Sequence, residues 1–110
     1  TEDAGYKAAC ELLESGEKFD AICAASDLIA IGAMRALKEH NIHIPEQVAV
    51  VGFDDIAIAS FTFPPLTTVK QDTKLAGELL VNTLLESIDG KETSTTLISP
   101  ELVIRKSCGS

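Results

Sequence analysis

Two short runs, residues 19–25 (FDAICAA) and 48–53 (VAVVGF), are apolar nearly throughout, and each ends in a polar step. A half-exposed strand alternates, whereas a strand covered on both faces reads as a continuous apolar run. Between them, residues 28–40 carry a helical pattern that opens at Ser26-Asp27 and closes near Asn41. Strand, helix and buried strand in succession constrain the chain to parallel neighbours joined by a right-handed crossover.

The remaining segments extend this order. Thr1, Glu2 and Asp3 suit a helix start, and Tyr6, Ala9, Cys10 and Leu13 form one apolar stripe that Gly16 ends. Pro45 begins the connection into 48–53, and 66–69 reads as a short strand after Pro64-Pro65. A further helix is expected over 72–88, with Ala76, Leu79, Leu80, Thr83, Leu84 and Ser87 on one face and Gly90 beyond its end. Short extended segments are expected at Leu97-Ile98 and over 102–106. The expected class is α/β, a parallel sheet flanked by helices, within a single domain of 110 residues.

The helix over 28–40 is apolar almost all round in its first turns (DLIAIGAMRAL), with Arg35 as the first break. Such a helix is buried on two sides, and Gly32 and Ala33 would let another backbone approach closely.

Composition narrows the chemistry. A net charge of −8 and a pI near 4.6 argue against nucleic-acid binding by this segment, because phosphate contacts need clustered Lys and Arg. Cys10, Cys23 and Cys108 lack metal-ligand spacing, and their odd number suits no disulfide framework, so free thiols and a reducing compartment are expected. No apolar run approaches the ~18 residues a membrane helix needs. The start at Thr1, without Met, suggests a piece of a larger protein.

In an open parallel sheet, ligands bind beyond the carboxyl ends of the strands. Both polar steps fall there if the two apolar runs are neighbours, which puts Asp27 and Asp54 on one crevice suited to the hydroxyls of a sugar, nucleoside or polyol. Asp27 can equally be a helix-start acid, and Asp55 reads better as a turn residue than as a contact. Catalysis and metal binding find no support: His40 and His43 look like solvated connectors, no nucleophile elbow is present, and no Gly-rich phosphate loop occurs. No cofactor is expected. Asp54-Asp55, Thr67-Thr68 and Lys70 mimic a phospho-receiver constellation, but the order and spacing are wrong for one.

The string DAICAASDLIAIGAMRALKEHNIHIPEQVAVVGFDDIAIASFTFPPLTTVKQD, with LAGELLVNTLLESIDG and a closing P-x-L-V-I-R-x-S, resembles the effector-binding part of LacI/GalR-family transcriptional regulators. The resemblance spans nearly the whole chain. It implies a partial periplasmic-binding-protein-like type I fold: residues 1–70 in the C-terminal subdomain, 71–95 as crossover and helix of the N-terminal subdomain, and 96–110 as closing strands. It further implies a cytoplasmic regulator that senses a small sugar-like effector, forms a homodimer, and reaches operator DNA through a helix-turn-helix headpiece not in this chain. A periplasmic sugar-binding protein serving a transporter is the second reading. By the same resemblance the effector contacts are Ser26, Asp27, Asp54, Gln71 and Thr73. Ser26 stands where the family has Asn, and Thr73 where it often has an aromatic or apolar residue. The implied dimer surface comprises Leu28, Ile31, Met34 and Arg35 of the apolar helix, with Ile58, Phe61 and Phe63 of the loop after Asp55.

Overall fold

The computed structural model describes residues 1–71, 78–82, 84–85, 90 and 100–109. Helix α1 spans Glu2–Glu14 and is capped by Thr1, whose hydroxyl accepts from the Ala4 N–H at 3.2 Å. Strand β1 is Ala21–Cys23, helix α2 is Asp27–Glu39, strand β2 is Ala49–Phe53, strand β3 is Thr67–Lys70, and strand β4 is Glu101–Val103. The four strands form one sheet in the order β1-β2-β3-β4. β1 pairs with β2 in parallel with Cys23 opposite Val51, and β2 pairs with β3 in parallel with Phe53 opposite Val69. The expected alternation and parallel pairing are therefore present. The segment after Asp55, read as loop, holds a 3-10 turn at Ala57–Phe61. The expected strand at Leu97-Ile98 and most of the expected helix over 72–88 lie outside the described residues, although 78–82 and 84–85 are helical.

The chain divides into two compact units, Thr1–Lys70 with Leu102–Ser110, and Gln71–Glu101. The core of the first unit packs α2 on the sheet through Ala30, Met34, Leu37, Val48, Val50 and Leu66. The same unit draws on the chain's last residues. Ser107 is fully buried; its hydroxyl donates to the Val50 carbonyl at 2.6 Å and accepts from the Thr67 N–H at 2.8 Å. One side chain thus bridges β2 and β3 just before their mutual ladder begins.

The second apolar face of α2 is covered by α1. Ala9 packs on Ala33 and Ala36, and at the crossing the helices nearly touch backbone to backbone. A Cβ on Gly32 would collide with the Glu2 carbonyl oxygen, and one on Gly5 with that of Ile29. Polar contacts fix the same crossing at its rim. Arg35 donates to Glu2 at 2.6 Å and lies 4.0 Å from the Tyr6 ring centre, while the Tyr6 hydroxyl donates to Glu39.

That hydrogen bond to Glu39 is the main reason the Tyr6 phenol is pushed up from 10.0 to about 12. Since folding raises this value, the bond contributes fully below the unfolded pKa and is lost as pH climbs through the folded one. Phenolate absorbance of the chain's only tyrosine is expected to titrate near 12, and Glu39→Gln should return the midpoint toward 10.0. A wild-type midpoint at 10.0 would contradict the bond.

Candidate functional site

The register of β1 on β2 sets the site. Cys23 opposes Val51, so Ser26 and Asp54 each stand three residues beyond a paired position, at the carboxyl ends of adjacent parallel strands. The rim expected from the sequence is thus formed, but its two acids differ sharply in environment.

Asp27 opens α2 and is fully buried. Its Oδ1 accepts from the Thr68 hydroxyl at 2.6 Å and its Oδ2 from the Ile56 N–H at 2.8 Å. Thr68 in turn accepts from the Asp55 N–H at 3.3 Å, so α2, β3 and the turn after β2 meet at one carboxylate. Gly52 makes room for it, because a Cβ there would collide with Asp27 Oδ1. Asp27, expected as an effector contact, has both carboxylate oxygens bonded to protein groups, beneath the rim.

Asp54 is exposed, and among the described residues no group donates to its carboxylate. Its backbone is held at φ 109° while the N–H donates to the Val69 carbonyl at 2.8 Å. Asp55 follows at φ 55°. Non-glycine residues in such conformations cost roughly 1–3 kcal/mol each, so adjacent ones persist only where neighbours over-determine them. Here three successive N–H groups, those of residues 54, 55 and 56, are bound by the β3 backbone, Thr68 and Asp27. The Asp55 carboxylate accepts from Arg105 Nη2 at 2.9 Å, with both side chains less than a fifth exposed. The result is one carboxylate turned outward on a turn fixed from beneath.

Ser26 caps α2, its hydroxyl oxygen accepting from the Ile29 N–H at 3.3 Å, which leaves the hydroxyl hydrogen able to donate elsewhere. Gln71 follows β3, is exposed, and begins the second unit. Thr73 lies outside the described residues. Sequence reasoning missed Thr68, Arg105 and Gly52. The signal for Thr68 was a pair of adjacent threonines opening a short strand between Leu66 and Val69; nothing local marks Arg105.

The residues of the expected apolar surface differ in exposure. Met34 is 3% exposed and packs in the core, and it also reaches the wall of a groove beside Phe63. Arg35 is spent on Glu2, Asp3 and the Tyr6 ring of α1. Ile31 is half-buried, whereas Leu28 (47%), Ile58 (53%), Phe61 (83%) and Phe63 (83%) are exposed. Ile31, Arg35, Lys38, Thr62 and Phe63 border a groove of about 310 Å³.

Among the described residues no group of three His, Cys, Asp or Glu side chains could hold a metal ion, and no helix is long and apolar enough to cross a membrane.

Removing the Asp27 carboxylate would strand the buried Thr68 hydroxyl and the part-buried Ile56 N–H, each costing about 1–3 kcal/mol at full burial. Asp27→Ala is thus expected to destabilise the chain by roughly 2–4 kcal/mol in urea titration, against under ~0.5 kcal/mol for the exposed Asp54→Asn. Equal losses in the two variants would refute the division between buried hub and exposed rim.

Comparison with known proteins fits this geometry. A family described as periplasmic binding protein-like domain matches residues 1–108. The lactose operon repressor of Rhizobium radiobacter is 41% identical over 106 residues, covering 96% of this chain and 94% of that one. A crystal structure of the lac repressor dimer bound to operator and an anti-inducer superposes with TM-score 0.92 at 35% identity, covering 98% of this chain and 33% of that one. A CelR–cellobiose complex gives TM-score 0.85 at 38% identity, over 97% and 33%. The chain spans 32% of the length of the first curated relatives it matches, which are transcriptional regulators. Relatives of that kind disfavour the transporter-linked reading. The chain belongs to the periplasmic binding protein-like domain family, in the form carried by LacI-family transcriptional regulators.

Proposed function

We propose that this chain is the effector-sensing and dimerising portion of a cytoplasmic transcriptional repressor, and that it binds a sugar-like molecule at the rim formed by Asp54 and Ser26. The observation that carries this reading is the exposed Asp54 carboxylate, fixed at φ 109° at the end of β2 in a chain with a sugar-complexed structural relative. A carboxylate accepts from two vicinal hydroxyls in short charge-assisted bonds, and the Ser26 hydroxyl can donate to a third oxygen. Asp27 acts beneath them by holding the turn. Gln71 and Thr73 join the effector contacts on the strength of the family resemblance alone.

Operator DNA would be reached through a headpiece outside this chain, since a surface with net charge −8 does not attract phosphates. Effector binding then changes operator affinity as a coupling between distinct sites, each biasing the same conformational equilibrium. The dimer surface centres on Leu28, Ile58, Phe61 and Phe63, exposed apolar side chains that a second copy would cover, as the dimeric lac repressor relative supports. The loss of Asp54's charge-assisted bonds sets the scale of the first test. In the full-length protein, Asp54→Ala should weaken sugar binding at least ~10-fold by calorimetry; unchanged affinity would sink the contact assignment. Phe61→Glu, at a side chain 83% exposed, should yield monomers in sedimentation without unfolding the protein. A persistent dimer would remove Phe61 from the interface.

A further inference from the structure

Three constraints already described act on the backbone N–H groups of residues 54–56. The fourth acts on a side chain and comes from a residue 50 positions away. Arg105 Nη1 donates to the Leu66 carbonyl at 2.8 Å and Nη2 to Asp55 Oδ1 at 2.9 Å, while its own backbone N–H donates to Thr67 Oγ1 at 2.9 Å. Arg105 is thus anchored at the start of β3 through its backbone N–H and one arm of its guanidinium, and the rigid planar group presents its other arm to the turn. The carboxylate it grips belongs to the second of two consecutive positive-φ residues. A turn in that conformation relaxes if released, and relaxation at Asp55 would swing the preceding side chain, Asp54.

We infer that Asp55 and Arg105 are a positioning pair that fixes the direction in which Asp54 is presented. They do not touch the ligand themselves. This inference rests on the reading of Asp54 as an effector contact. A merely structural ion pair would contribute to global stability alone. A positioning pair acts on the turn and, through it, on binding.

The test uses the full-length protein with Arg105→Gln, Arg105→Lys, Asp55→Asn and Asp55→Gly, the last of which tolerates φ 55° but lacks the carboxylate. Amide hydrogen exchange is read at residues 54–56 and at Val50, whose N–H donates to the Ser107 carbonyl in the core at 2.8 Å. Arg105→Gln, Asp55→Asn and Asp55→Gly should each speed exchange at 54–56 about tenfold and leave Val50 unchanged. Combining Arg105→Gln with Asp55→Gly should add nothing beyond either alone, as for two halves of one interaction. Should Arg105→Gln fail to fold, Arg105→Lys, which keeps the charge and loses the fork, gives the same local pattern at smaller amplitude.

Cellobiose, lactose and glucose serve as binding probes. Whichever binds the wild type should bind these variants about tenfold more weakly, at unchanged urea midpoint. Exchange that is unaltered at 54–56, or that rises equally at Val50, overturns the positioning role. So does local loosening with undiminished affinity for a sugar that Asp54→Ala no longer binds. If Asp54→Ala retains full affinity, or none of the three sugars binds the wild type, the reading of the effector contact fails instead, and the exchange result alone decides whether the pair braces the turn.

Discussion

The buried carboxylate of Asp27 is the interaction on which the rim depends. It receives Thr68 of β3 and the Ile56 N–H of the turn after β2, from a position at the start of α2. A buried acid is costly unless its oxygens are satisfied, and here both are. Satisfaction requires three elements to arrive in one relative placement, so the bond network works as a gauge of correct assembly. It also dictates a glycine in the middle of β2, because only Gly52 leaves room for the carboxylate against the strand. Two acids that look alike in the sequence are a buried one that ties three elements together and an exposed one on the turn it holds.

The helix crossing imposes a second constraint. Gly5 and Gly32 let α1 and α2 approach until backbones meet, and Ala9, Ala33 and Ala36 fill the remaining space with single methyl groups. Burial of α2 on two sides is therefore largely accomplished within the chain. The apolar surface left exposed there is narrower than the apolarity of α2 implies, and it includes Leu28 and the segment carrying Ile58, Phe61 and Phe63.

The sequence was most informative where information is local. The apolar runs marked β1 and β2, and Ser26 and Asp27 marked the start of α2, because strand patterning and helix capping leave signatures within a few residues; β1, read as covered on both faces, is nevertheless exposed at Ala21 and Cys23. The contrast between Asp27 and Asp54 was illegible, since it is decided by Thr68, 41 residues from Asp27, and by a turn at positive φ. Arg105 was invisible for the same reason: its partner stands 50 residues earlier. That Met34 packs in the core was illegible too, because periodicity shows that a helix face is covered and is silent on what covers it.

Ser107 carries a consequence for how the chain reaches this state. Its hydroxyl joins the Val50 carbonyl to the Thr67 N–H, and Arg105 braces the turn beyond. The sheet assembled from the first 70 residues is therefore completed by residues that lie beyond the whole of the second unit. During synthesis, β2 and β3 must wait with a gap at their base until residues 105–107 have left the ribosome, and closing a loop of that length is a slow, non-local step. Until then the turn after β2 lacks its Arg105 brace, so a chain stopped short of Arg105 would hold that turn through the N–H groups of residues 54–56 alone.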